Sequence, residues 1–268
     1  MRPDQRVPQL THGDRDDRAW AAGSPIGTAA ALALLRDGEL EVVGRVREAS
    51  NVVLLCEIAS RPTDAEGDRP TFHAAYKPVR GERPLDDFPH GSLAAREEAA
   101  WWVSEALGWS IVPPTIVREG PAGPGAVQLW IDTDDHVDVL RMILVRDDRL
   151  RPMAVFDALV NNADRKGGHL LVTEEGDVHG VDHGICFAVE PKLRTVLWGW
   201  RGERLSDEER GDIERMCGQL DGALGTRLAT LLSAREVEAQ RARARRLLSD
   251  DCLPMPDPHR YVIPWPPF

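Results

Sequence analysis

The stretch that decides the fold runs Ala154-Val-Phe-Asp-Ala-Leu-Val-Asn-Asn-Ala-Asp-Arg-Lys-Gly-Gly-His-Leu-Leu-Val172 and resumes, after a short turn, as Val178-His-Gly-Val-Asp-His-Gly184. Its first part has a helical pattern: Met153, Phe156, Leu159 and Val160 mark the apolar positions, Pro152 suits a first turn, and Asn161-Asn162 marks the end. Asp164-Arg165 falls in the loop that follows. His169 opens a strand to Thr173, a Glu175-Gly176 turn reverses the chain, and residues 178–181 lead to Asp182-His183-Gly184. The loop offers a carboxylate beside two cations, and the hairpin brings a pair of metal-capable groups towards it. Phosphoryl transfer needs that set: a group to orient the acceptor hydroxyl, cations for the moving phosphoryl, and ligands for a divalent ion. By spacing alone, an Asp-rich solvated hairpin is the competing reading.

Working outward, the chain before this stretch is mostly β. A short helix over 29–35 stops at Asp37-Gly38, strands over 40–46 and 52–58 form a hairpin across 47–51, and a polar loop over 61–70 leads to a strand at 72–76 ending in Lys77-Pro78. A helix begins after Ser92, carries Leu93, Ala100, Val103 and Leu107, and ends at Gly108; strands over 111–117 and 126–131 follow, separated by the turn-rich segment 119–125. Beyond the hairpin the pattern is largely helical to Leu248, and a Pro-rich tail, 254–268, is expected to lie on the surface through Tyr261, Ile263 and Trp265. The order predicts an α+β fold, an antiparallel sheet with one main helix followed by a helical half, rather than a doubly wound parallel sheet. Its parts are a disordered segment at 1–24, a first lobe at 25–132, a second at 133–253, and the tail.

Composition narrows the class. At 268 residues, 42% hydrophobic and 29% charged, the chain can bury a sizeable core, and a formal charge of −11 argues against nucleic acid and anionic membranes as partners. No segment reads as a signal peptide or membrane span, and the four cysteines, Cys56, Cys186, Cys217 and Cys252, are too widely spaced for a metal knuckle, so the expectation is a soluble cytoplasmic protein with no integral membrane contact. Thirty of the 33 basic residues are arginine; the three lysines are Lys77, Lys166 and Lys192. Lysine and arginine are not interchangeable where a compact point charge is wanted.

Asn162-Ala163-Asp164-Arg165 with Asp182-His183-Gly184 resembles the catalytic and metal loops of the phosphatidylinositol 3- and 4-kinase-like branch of the protein-kinase-like fold, and more closely an actinobacterial group distantly related to that branch. Gly44-Arg45, Ala49-Ser50-Asn51, Tyr76-Lys77-Pro78, Arg80 to Pro84, Arg96-Glu97 and Asn161 to His169 extend this likeness over roughly residues 28 to 265. The resemblance implies a two-lobed protein-kinase-like fold and an ATP-dependent phosphotransferase acting on a small-molecule or protein hydroxyl. It makes Asp164 the catalytic aspartate, Lys166 a phosphate contact, Asp182 the metal-binding aspartate and Lys77 the lysine that holds the ATP phosphates. Glu97 is implied as the partner of Lys77, and its place on the stripe of Leu93 and Ala100 prefers it over Glu98, since an unpaired buried carboxylate is costly. Ser50 and Asn51 fall in the phosphate-covering turn, and Leu129, Trp130 and Ile131 at the adenine and hinge.

One position departs from the family. His169 stands where an asparagine serves as second metal ligand; Mg2+ prefers oxygen, whereas imidazole suits Mn2+, so the metal is Mg2+ or Mn2+ with His169 an open ligand. His179 and His183 have the spacing of a helical zinc site, but Gly180 and Gly184 disfavour a helix, and on a strand the two would sit about 13 Å apart. The arginines at 241, 243, 245 and 246, interleaved with Glu236 and Glu238, read as a solvated helix face. Two other functions use the same residues: a pseudokinase that binds nucleotide without transfer, and a protein adenylyltransferase.

Overall fold

The structure is a computed structural model that describes residues 9–10, 27–46, 51–60 and 71–268. The segment 1–24 apart from 9–10, the loop 61–70, and Ser50 lie outside the described residues. Contacts divide the chain into two units, Met1–Ala94 with Pro114–Asp132, and Ala95–Pro113 with Thr133–Phe268.

In the first unit, α1 (Thr28–Asp37) precedes β2 (Glu39–Val46), β3 (Val53–Ala59) and β4 (Thr71–Pro78), which pair antiparallel in succession. With β5 (Thr115–Gly120), β6 (Gly123–Leu129) and a short parallel edge, β1 (Gln9–Leu10), they make one six-stranded sheet in the order β1-β2-β3-β4-β6-β5. Leu35, Cys56, Ile58, Ala74, Tyr76, Ile116, Ala122 and Val127 form the core beneath α1. Gly38 ends α1 by close approach rather than by a left-handed turn: its φ is −65°, and a Cβ there would lie 2.8 Å from Ile58 Cγ1. Arg118 Nη1 donates to the Leu35 and Gly38 carbonyls at 2.8 and 2.9 Å, placing a cation at the helix C-terminus.

The last two strands begin later or end earlier than their sequence pattern predicts. Pro113 and Pro114 have no N–H to give a ladder, and the amides of Ile111 and Val112 go instead to Ser104 Oγ, so β5 starts at Thr115. The turn-rich segment 119–125 is a tight hairpin closed around an aromatic ring. A Cβ on Gly120 or Gly125 would lie 2.7 or 2.6 Å from the ring of Tyr76, whose hydroxyl donates to Gly123 O at 2.5 Å and accepts from Ala122 N–H. Lys77 is the next residue on β4, opposite Ala126, and is half-buried.

Most of α2 (Leu93–Leu107) belongs to the second unit, with α3 (Val139–Val145), α4 (Arg151–Val160), β7 (Leu170–Val172), β8 (Val178–Gly180), α5 (Asp207–Leu220), α6 (Ala223–Leu228) and α7 (Ala234–Asp250). Polar contacts explain the allegiance of α2. Arg96, 1% exposed, donates to Cys186 O and to Glu236 at the start of α7; Glu98 accepts from Arg227; Arg215 donates to Leu107 O at 2.7 Å; and Trp109 Nε1 reaches Asp212 on α5 at 2.7 Å. None of these partners is visible from the periodicity of α2 itself. The C-terminal arginines are only partly solvated: Arg245 and Arg246 are exposed, but Arg243 turns inward to the carbonyls of Leu159 and Ala188, and burial pushes its guanidinium down to about 10. Trp198–Trp200 is a 3-10 turn with Trp200 buried. Among the described residues, no helix is long and apolar enough to cross a membrane.

Glu236 caps α7 by accepting from Ser233 N–H and Oγ while it pairs with Arg96. Burial raises its carboxyl, but the hydrogen bonds from Arg96 and Ser233 outweigh that and hold it below the ordinary carboxylate value. Its stabilisation is therefore complete above the unfolded carboxylate pKa and is lost as pH falls through the lowered folded value. Glu236→Gln should cost roughly 3 kcal/mol at neutral pH, and the difference from wild type should close in acid, as read by denaturant unfolding at several pH values.

Candidate active site

Asp157 is a single carboxylate in the apolar run of α4, and it is fully buried. Its partner is Arg165, also 0% exposed, whose Nη2 lies 3.0 Å from Asp157 Oδ1 and whose Nε donates to both carboxylate oxygens. Thr195 Oγ1 and Asn162 Nδ2 supply further donors at 3.1 and 3.0 Å. Between these residues α4 ends at Asn161, left-handed at φ 55°, whose side chain binds the carbonyls of Ala188 and Glu190 and the amide of Lys192. The loop after α4 is thus held at both ends before any residue with a chemical role is placed.

Arg165 also reaches across to the far side of the hairpin. Its Nη1 donates to Val181 O at 2.8 Å, and its Nη2 lies 2.6 Å from His183 Nε2. A guanidinium only donates, so Nε2 accepts and a neutral His183 carries its proton on Nδ1. The imidazole is buried and stands edge-on to Phe156, and the His183 amide donates to Glu97 Oε2 at 3.0 Å. Asp182, just before it, is left-handed at φ 63° with a 42% exposed side chain. Arg165 and Glu97 therefore fix the backbone on either side of Asp182 and leave its carboxylate accessible.

The inward side chain of Arg165 decides where its neighbours point. Lys166 is in extended backbone, where successive side chains alternate, so Asp164 and Lys166 emerge together on the face opposite Arg165. Lys166 Nζ lies 3.4 Å from Asp164 Oδ2, and Asn162 Oδ1 holds the Asp164 amide at 2.9 Å. Burial raises the Asp164 carboxyl above its usual range; Lys166 opposes this, and the charge of Asp182 adds to it. His169 Nε2 lies 3.3 Å from Asp182 Oδ2, and His169 Nδ1 is 3.5 Å from the Lys166 amide.

The structure thus brings Asp164 and Lys166 together, and His169 with Asp182, within one unit. Glu97 is 3% exposed and Glu98 1%, so burial does not separate them; Glu97 accepts from the His183 amide, and Glu98 from Trp102 Nε1 and Arg227. Lys77, Asn51, Leu129, Trp130 and Ile131 lie in the first unit. Asn51 Oδ1 accepts from Arg83 N–H at 2.8 Å, tying the residue shortly before β3 to the segment after β4. Leu129 and Trp130 give their amides to Pro114 O and His73 O. Among the described residues, no group of three or more His, Cys, Asp or Glu side chains assembles as a metal site. Sequence reasoning missed Asp157 and Thr195; it counted Arg165 among the cations for the moving phosphoryl and weighed His183 only as a zinc ligand, whereas the structure buries both. The signal available was Asp157 itself, a carboxylate on an apolar helix face that must find a cation.

Arg165→Met leaves Asp157 without its charge partner in the core and should destabilise by about 3–5 kcal/mol, whereas Asp157→Leu with Arg165→Met should recover part of that loss. Unfolding free energies of the two single variants and the double variant check this; additive losses would be evidence against the coupling.

No protein-family model matches the chain. It is 47% identical over 271 residues to protein Rv2133c of Mycobacterium tuberculosis, covering 88% of this chain and 95% of that protein. It is 30% identical over 127 residues to phosphatidylinositol 4-kinase gamma 4 of rice, Oryza sativa subsp. japonica, covering 40% of this chain but only 22% of the rice protein. Among solved structures it superposes on hydra Fam20, determined with sugar, with a TM-score of 0.50 at 12% identity over 85% of this chain and 89% of that one. These matches accord with a two-lobed, kinase-like α+β fold. On identity and coverage together, the chain belongs to the family of the mycobacterial protein Rv2133c.

Proposed function

We propose that the protein is an ATP-dependent phosphotransferase acting on a small-molecule or protein hydroxyl. The observation that carries this reading is the Arg165 hub. It presents Asp164 with Lys166 on one side and Asp182 with His169 on the other, the constellation that phosphoryl transfer asks for. The segment matched to the rice lipid kinase supports it, and the family's lipid substrates are not carried over, since fold does not fix substrate.

In this reading Asp164 accepts or orients the proton of the acceptor hydroxyl. Its raised carboxyl favours the first role, since a stronger base takes a proton more readily. Lys166 sets a compact cation beside it for the moving phosphoryl. Lys77 holds the nucleotide phosphates, with Glu97 as its implied partner. Ser50 and Asn51 serve the covering turn, and Leu129, Trp130 and Ile131 the adenine.

The donors present fit a divalent ion bound through few protein ligands. Asp182 offers exposed carboxylate oxygen, which suits Mg2+, and His169 offers imidazole, which suits Mn2+; nucleotide phosphates and water would supply the remaining ligands. Such an ion neutralises phosphate charge.

Incubation with α-labelled and γ-labelled ATP in parallel, with Mg2+ or Mn2+ and a metabolite extract, tests the reading. Label should transfer from γ alone. Transfer from α alone would make the protein an adenylyltransferase, and transfer from neither with either metal would leave a pseudokinase. Asp164→Asn should lower transfer by about 10²–10⁴-fold while nucleotide affinity, measured by calorimetry, stays near wild type; equal loss of both would remove Asp164 from the proposed role.

A further inference from the structure

The chain segment after α7 returns to the catalytic loop. Pro267 O accepts from Gly167 N–H at 2.8 Å, and the ring of Phe268 rests against Gly167 so closely that a Cβ at 167 would overlap it. Gly167 is not in the left-handed region, so its backbone does not require glycine; the ring does. Further back, Val262 O accepts from Thr195 N–H at 3.0 Å and from Trp198 Nε1 at 2.8 Å, and Arg260 Nη1 donates to Pro191 O. Thr195 in turn donates its hydroxyl to Asp157. The backbone hydrogen bonds are at Val262 and Pro267; Pro264 between them is buried, and Phe268, with one face against Gly167, is 49% exposed. Ile263 and Trp265 are 55% and 89% exposed, while Pro264, Pro266 and Pro267 lower the conformational entropy lost in holding the segment.

We propose that residues 262–268 are a latch on the catalytic loop, with Pro267 and Phe268 as positioning residues for Lys166 and His169. The turn they grip, Gly167–His169, lies between those two side chains. It is closed by His169 N–H to Lys166 O at 3.2 Å and joined to the metal loop by Val181 N–H to His169 O at 3.0 Å. Releasing Gly167 frees the one amide that the tail holds at the entry of this turn, and Lys166 and His169 then lose their fixed separation. The latch itself is independent of the chemistry; its service to phosphoryl transfer rests on the phosphotransferase reading.

Hydrogen exchange of the full chain, read by mass spectrometry, tests the latch. Phe268→Ala removes the ring, and Gly167→Ala displaces it without altering the tail. Each should speed exchange in a peptide covering 161–170 roughly tenfold while peptides from α7 stay unchanged. Phe268→Leu should restore most of the protection, and the Phe268→Ala, Gly167→Ala double variant should be no faster than either single one. Unchanged exchange in the single variants would overturn the latch. If exchange rises, transfer from γ-labelled ATP should show a lower kcat with KM for ATP unchanged; an unchanged kcat would overturn the positioning role. A wild-type protein that transfers no label overturns the phosphotransferase reading and the service assigned to the latch, while exchange still decides the latch itself.

Discussion

A carboxylate buried in the middle of an apolar helix is the constraint from which the site follows. Asp157 cannot stay ionised in the core without a cation and further donors, and removing a charge from water costs several kcal/mol before any attraction repays it. Arg165 meets that demand with its fork, and Thr195 and Asn162 supply the rest. Because Arg165 must point inward, Asp164 and Lys166 are turned outward. Because its remaining donors reach Val181 O and His183, the loop carrying Asp182 is held by the same side chain. One electrostatic requirement thus fixes both halves of the candidate site.

The arginine-rich composition acquires a physical meaning in this frame. Arg96, Arg118, Arg165, Arg215 and Arg243 all place guanidinium nitrogens on backbone carbonyls, several at a helix end, where a planar group with many donors satisfies acceptors that a single ammonium would serve poorly. The arginines act as cross-braces between segments far apart in sequence. Lys166 has a different setting, a point charge beside a carboxylate at a partly open position, and Lys77 stands half-buried near the end of a strand.

Much of the local structure was legible from residue patterns. α4 with its asparagine stop, the β7–β8 hairpin, and the strands on either side of 47–51 follow from apolar periodicity and turn chemistry, which act over a few residues. The start of β5 was misread because Val112 looks like strand while its amide, with that of Ile111, is claimed by Ser104 on another element. The turn at 119–125 was legible from its glycines, but the ring two of them make room for belongs to Tyr76, more than forty residues earlier. Arg243 looked solvated because the carbonyls that receive it come from Leu159 and Ala188. For the site, Asp164, Lys166, Asp182 and His169 could be named from the motifs and the family they resemble, yet nothing there showed that Arg165 and His183 turn inward to hold them.

The sequence by itself determined the α+β order, the placement of the helix, loop and hairpin that build the candidate site, and which acidic and basic side chains lie in them. Those properties depend on neighbours within one or two turns of chain. Only the tertiary structure decided that α2 is cross-braced to α5 and α7, that Glu97 rather than Glu98 meets the His183 amide, and that the segment at 262–268 closes on Gly167. The reason is the same in each case: a buried charge or an amide in a loop takes its partner from whatever the fold brings within about 3 Å, and that choice is not written in sequence separation.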